Sequence, residues 1–185
     1  MSHYVIDYET VKNAIGHGIG GKCDGSNRLI SVLIVVGTQS GNAAMVGDTM
    51  KTALIDAGIA CETMAEDNAD PALIARHKWL LVCCSTHGDG DVPDHLLPLL
   101  AAIRQQQPDL SHVRYGAVGL GDRTYHETYC HGVRQIDELL QAHGAQRVGE
   151  PLQIDASTQP FADEVAAQWL GPWLAMAAAA APDPS

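Results

Sequence analysis

Apolar positions along this chain fall into two alternating kinds of run. Ile30 to Val36 is almost wholly β-branched or leucine, and further strand-like runs cover Ala60 to Met64, Trp79 to Ser85, Tyr115 to Leu120 and Arg147 to Ile154. Between them the spacing turns helical. Val46, Met50, Ala53, Leu54 and Ala57 share one face, as do Leu96, Leu99, Leu100 and Ile103 within 95–105. Val133, Ile136, Leu139 and Leu140 repeat within 131–143 and stop before Gly144. A last helix over 161–176 carries Val165, Trp169 and Trp173 at fourfold spacing, with a kink expected at Pro172. Five strands alternating with helices predict a doubly wound α/β domain: a parallel sheet with helices on both faces.

Three loops rich in glycine and hydroxyl groups stand where strand-like runs end: 37–43, 85–91 and 119–125. In a sheet of order 2-1-3-4-5 the first, third and fourth strands are neighbours. The three loops then converge on one crevice beyond the carboxyl ends of the strands. The first loop leads into a helix, whose free backbone N–H groups and dipole favour an anion. Thr38, Ser40 and Asn42 add side-chain donors. No cationic residue lies between Arg28 and Lys51, so a phosphate there is held by neutral groups. A triphosphate-binding P-loop is excluded, because its lysine and its magnesium-binding hydroxyl have no counterpart. Small polar residues also cap ordinary helices, so it is the three loops together that point to an anionic, planar ligand.

These residues carry a resemblance. The first loop, Ser-Thr-His-Gly-x-Gly-Asp-x-Pro-Asp at 85–94 and Gly-Leu-Gly-Asp-Arg-Thr-Tyr at 119–125 resemble the three flavin loops of flavodoxins. The similarity runs over roughly residues 30–175 and is strongest to short-chain flavodoxins of the MioC type, through 85–94, 108–111, 115–123 and 169–173. It extends more distantly to the FMN domains of diflavin reductases such as the sulfite reductase flavoprotein. The fifth strand runs into Asp155 without the inserted loop of long-chain flavodoxins. The resemblance implies a flavodoxin-like five-stranded sheet of order 2-1-3-4-5, and FMN as cofactor.

It also implies site residues. Thr38, Gln39, Ser40, Gly41, Asn42 and Ala43 match the phosphate loop. Ser85, Thr86, His87, Gly88 and Gly90 match the second loop, with His87 beside the ring where relatives often carry tyrosine or tryptophan. Leu120, Gly121, Asp122, Thr124 and Tyr125 match the third, with Tyr125 on the opposite ring face, and Tyr129 and Cys130 follow. The segment after Tyr125 is one residue longer than the family spacing. Gly88 and Gly90 would let a peptide of the second loop reorient when the flavin is reduced. No catalytic residue and no metal ligand is expected.

Composition bounds the remaining choices. The 185 residues, 46% of them hydrophobic, suffice for one domain with a sizeable core. The expected organisation is an extension over 1–28 that is mobile, an FMN-binding domain over 29–176, and a tail over 177–185. A net charge of -11 argues against nucleic acid and anionic membranes, and suits docking to a basic protein. Asp89, Asp91, Asp94, Asp122 and Glu127 crowd the second and third loops. Five cysteines without metal or redox spacing read as ordinary thiols, and nine histidines form no metal arrangement. The glycine pattern within 16–25 lacks the strand, helix and acid of a dinucleotide fingerprint. With no signal-peptide pattern at the start of the chain, a cytoplasmic protein is expected.

The expected function is electron carriage rather than enzymatic turnover. FMN would take electrons from a flavodoxin reductase and pass them to an acceptor enzyme, both of them basic partners. The alternative is an FMN-dependent reductase of small molecules of the quinone type. A phosphoacceptor receiver is disfavoured, since Gly37-Thr38 occupies the place of its magnesium-binding acids.

Overall fold

A computed structural model describes residues 31–180. The expected extension at 1–28 and the last five residues of the expected tail lie outside this range. Six strands, β1 (Ser31–Gly37), β2 (Ala60–Thr63), β3 (Trp79–Ser85), β4 (Arg114–Gly121), β5 (Gln146–Arg147) and β6 (Leu152–Asp155), form one sheet. Every pairing is parallel, and the order is β2-β1-β3-β4-β5, with β6 also paired to β4. Among the described residues the α-helices are α1 (Asn42–Asp56), α2 (Pro71–Ala75), α3 (Leu97–Gln106), α4 (His131–Ala142) and α5 (Ala162–Ala179), with a 3-10 turn at Asp94–Leu96 leading into α3.

The sequence reading holds for the fold class and strand order, and needs correcting at three places. The single strand expected over 147–154 is two strands on the same edge of β4. Arg147 pairs with Tyr115 but Leu152 pairs with Val118, so two extra residues sit between the ladders. Gly149, at φ +73°, and Pro151, which has no N–H, supply that interruption. Helix α2 escapes a periodicity search because it has only five residues. Its marks are Asp70, whose carboxylate caps the Ala72 amide at 2.9 Å, and Pro71 at the first helical position. Third, α5 passes through Pro172, as a helix over 161–176 requires, but extends beyond Met176 to Ala179. Pro172 lies on the exposed face, where water can serve the Gln168 carbonyl that loses its helical partner.

Alternation along each central strand sends side chains into two cores. Val32, Ile34, Trp79, Leu81, Cys83 and Val118 pack under α1 and α5, against Val46, Met50, Leu54, Leu170 and Trp173. Leu33, Val35, Leu80, Val82, Cys84 and Tyr115 face α3 and α4 through Leu99, Leu100, Ile103, Val133, Ile136 and Leu140. On α5 the buried stripe is Ala166, Leu170, Trp173, Leu174 and Ala177, which leaves Val165 and Trp169 at its margin. With both faces covered, polar backbone reaches solvent at the strand ends and along the edge strand β2. The loops there are free to carry chemistry.

Candidate functional site

The loops following β1, β3, β4 and β6 surround a cleft of about 730 Å³ at the carboxyl end of the sheet. Its walls include Ser40 and Asn42 from the first loop, and Ser85, Thr86, His87 and Gly88 from the second. Leu120, Gly121, Asp122 and Tyr125 line it from the third.

At one end the cleft meets the start of α1. Gly41 opens the helix at φ +88°, with no side chain capping it, and its carbonyl first receives the Met45 amide at 3.0 Å. The amides of Asn42, Ala43 and Ala44 therefore have no acceptor within the helix. The Thr38 hydroxyl accepts the Gly41 amide at 2.9 Å, which folds the loop while leaving its own proton free to donate. A Cβ on Gly41 would meet nothing within 4 Å, so its glycine answers the backbone angle rather than crowding. Among the described residues, then, three amides without a partner, the helix dipole and two hydroxyls meet here, and no lysine or arginine lines the cleft.

The opposite end is aromatic and acidic. Tyr125 is 68% exposed and lines the cleft from the third loop, while His87 is exposed on the second. The second loop is a tight turn in which the His87 and Asp91 backbones bond to each other at 2.9 and 2.7 Å. Gly88, at φ +52°, lies exposed at its tip. In the third loop the Asp122 carboxylate accepts the Thr124 amide at 2.8 Å and the Thr124 hydroxyl at 2.6 Å, holding the turn that presents Tyr125.

Several expected site residues lie elsewhere. Thr38, Gln39, Gly41 and Thr124 flank the cleft without lining it. Ala43 and Cys130 are buried in the core, on opposite faces of the sheet, although the Ala43 amide belongs to the free first turn of α1. Gly90 is buried, and Tyr129 packs beneath the third loop, where the Arg123 guanidinium lies 5.2 Å from its ring centre. The glycines of β4 have a packing reason. A Cβ on Gly121 would stand 2.7 Å from the Cys130 backbone nitrogen, and one on Gly119 would collide with Val133. They let the start of α4 approach the sheet. Burial raises the thiol of Cys84 to about 12 and that of Cys130 to about 11, and pushes Cys83 higher still, so these cysteines are inert packing groups.

A fourth wall was missed. Ile154, Ala156, Gln159, Pro160 and Ala162 line the cleft from the β6 side, with Met45 and Thr128 between the other loops. The signal available was topological: Asp155 ends a parallel strand, and the loop after it opens on the same side as the rest. Asp155 is buried, and its carboxylate accepts the Ser157 hydroxyl at 2.7 Å, the Thr158 hydroxyl at 3.0 Å and the amides of Arg123 and Ser157 at 3.1 Å. The Ser157 hydroxyl first, aided by those amides, holds its pKa down at about 2.

A parallel sheet of this order, with its cleft over β1, β3 and β4, agrees with a match of residues 34–169 to the model of the flavodoxin family. The chain belongs to the flavodoxin family. It is 35% identical to the protein MioC of Escherichia coli K12 over 146 residues, 79% of this chain and 97% of that protein. Flavodoxin YqcA of the same organism is 36% identical over 140 residues, covering 76% of this chain and 93% of the relative. Among solved structures, the C101A mutant of a Pseudomonas aeruginosa flavodoxin superposes with a TM-score of 0.73 at 32% identity, covering 79% of this chain and 97% of the other. Among the described residues of this flavodoxin, no helix is long and apolar enough to cross a membrane.

Proposed function

We propose that this protein binds FMN in the cleft and carries electrons from a flavodoxin reductase to an acceptor enzyme. The reading is carried by the pairing of a free helix start at one end of the cleft with Tyr125 and His87 at the other. The residues present fit FMN: a phosphate matches the unsatisfied amides of α1 and the hydroxyls of Thr38 and Ser40, and a flat ring matches an aromatic slot. The volume of about 730 Å³ lies in the range of ordinary cofactor sites. Membership of the flavodoxin family supports the same cofactor.

In this proposal Thr38, Gln39, Ser40, Gly41, Asn42 and Ala43 hold the phosphate. Ser85, Thr86, His87 and Gly88 form one wall of the ring site, and Leu120, Gly121, Asp122 and Tyr125 form the other. Gly90, Thr124, Tyr129 and Cys130 act as supports from behind. Bound FMN supplies the redox chemistry, and the protein supplies position and field. Asp89, Asp91, Asp94, Asp122 and Glu127 keep the rim negative, which suits basic reductase and acceptor partners. We also propose a cytoplasmic site of action, with residues 29–176 acting as the FMN domain.

The test is a titration of the purified protein with FMN, followed by flavin fluorescence, and then an electron-transfer assay. Acceptor reduction that depends on an added NADPH-dependent flavodoxin reductase supports the carrier. Steady NAD(P)H-to-quinone turnover by the isolated protein supports the reductase reading instead. A folded protein that leaves micromolar FMN fluorescence unchanged would overturn both.

A further inference from the structure

The first turn of α4 grips the second loop at several points. The Gly90 carbonyl receives His131 Nδ1 at 2.9 Å and Gln135 Nε2 at 3.0 Å. The Gly132 amide donates to the Thr86 hydroxyl at 3.2 Å. Gly90 itself stands at φ +107°, and a Cβ there would lie 2.9 Å from His131 Nδ1 and 3.1 Å from the Thr128 methyl group. Gly132 is equally confined, because its Cβ would meet the Ser85 carbonyl at 2.7 Å. Only the tip of the loop is ungripped: the nearest atom to a Cβ on Gly88 is an Asp91 carboxylate oxygen at 3.9 Å.

We propose that His131 and Gln135 are positioning residues that clamp the Gly90 carbonyl to α4, and thereby set how the His87-Gly88 wall stands against the cofactor. The proposal rests on the FMN reading. Both side chains stay outside the cleft lining and act through the loop. For Nδ1 to donate to Gly90 it must carry the proton, so the 3.3 Å approach of Gln135 Nε2 to that atom is a contact between two donors sharing one acceptor. Two bonds on one carbonyl fix the plane of the Gly90-Asp91 peptide. The Asp91 amide of that peptide, which returns to the His87 carbonyl at 2.7 Å, is fixed with it, and the Gly90 amide of the preceding peptide reaches the same carbonyl at 3.1 Å. With the rear of the loop immobilised, any adjustment to the oxidation state of the ligand falls on the Gly88-Asp89 peptide. The clamp should therefore alter the relative affinity for oxidised and reduced FMN, a quantity that a purely scaffolding contact leaves alone.

The experiment compares wild type with three variants. His131→Phe keeps a ring but removes the donor, Gln135→Leu removes the second donor, and His131→Asn restores a donor, since the asparagine amide nitrogen occupies a position like that of Nδ1. Thermal unfolding first establishes that each variant folds. The expected result is at least a fivefold change in the ratio of dissociation constants for oxidised and reduced FMN in His131→Phe combined with Gln135→Leu. Retention of the ratio within twofold is expected in His131→Asn. Hydrogen exchange of the Gly90 and Asp91 amides, followed in the protein without added flavin, should speed up at least tenfold in the double variant. An unchanged ratio together with unchanged exchange in the folded double variant overturns the clamp. A wild type that takes up no FMN overturns the functional reading alone, and the exchange measurement then decides whether the clamp exists.

Discussion

Asp155 takes the amide proton of Arg123 on its carboxylate at 3.1 Å, fastening the loop after β4 to the loop after β6. The two residues are 32 positions apart, and the bond joins two walls of one cleft. The same oxygen accepts the Ser157 hydroxyl, and both bonds are stronger to the ionised carboxylate than to the neutral acid.

The pH consequence has a definite sign. A carboxyl held at about 2 in the folded protein contributes stability above the unfolded value, ~3.9, and loses it as pH falls toward 2. Comparing Asp155→Asn with wild type by urea unfolding should give a full difference at pH 5 to 7 that shrinks between about pH 4 and 2. A difference that persists undiminished at pH 2 would show that the tie does not depend on charge.

How legible was this site? The hydrophobic rhythm located β3 from Trp79 to Ser85 and the buried stripes of α3 and α4, because strong periodicity there coincides with deep burial. Loop chemistry located three walls. The fourth was hidden because the loop from Ala156 to Phe161 carries no glycine pattern; its shape comes from Asp155, a residue that reads like any acid at a strand end. Gly119 looks like a ligand glycine in a Gly-x-Gly string, yet Val133 fills the space above it, while Gly121 both lines the cleft and leaves room for Cys130.

Tyr125 is mostly exposed, so removing its ring should cost binding and not folding. Stacking beyond buried area is worth about 0.5–1.5 kcal/mol, which at about 1.4 kcal/mol per decade corresponds to a loss of roughly two- to twelvefold. Tyr125→Ala should weaken FMN and riboflavin alike by at least that factor, since the buried ring area is lost as well, read by fluorescence titration, with an unchanged melting temperature. His87→Trp should act in the opposite direction, since an indole covers more of a ring than an imidazole.

Packing far from the cleft gives the reverse pattern. A Cβ on Gly116 would stand 2.5 Å from Trp173 Nε1 and 2.8 Å from Trp169, whose rings are stacked at 5.8 Å. Trp173 also meets Trp79 edge to face at 6.3 Å, so none of the three indoles can yield alone. Overpacking of this kind costs about 1–3 kcal/mol, and each kcal/mol lowers the melting temperature of a domain this size by about 2–4 °C. Gly116→Ala should melt earlier by that amount in calorimetry while retaining FMN affinity at permissive temperature.

Salt separates this phosphate site from one built on lysine. An ion pair between phosphate and lysine weakens as salt screens it, and the Debye length falls from about 30 Å at 0.01 M to about 8 Å at 0.15 M. Here no lysine or arginine among the described residues lines the cleft, Asp122 stands in its wall, and the whole chain carries a charge of -11. The dominant long-range term between protein and phosphate is therefore repulsion, which salt removes. FMN should bind more tightly as ionic strength rises over that range, whereas riboflavin, which lacks the phosphate, should show little change. Thr38→Val completes the argument at the level of one hydroxyl. It removes the acceptor of the Gly41 amide at 2.9 Å together with a donor facing the loop, so it should weaken FMN several-fold and leave riboflavin unaffected. Equal losses for both flavins in that variant, or tighter FMN binding at low salt, would place the phosphate somewhere other than the start of α1.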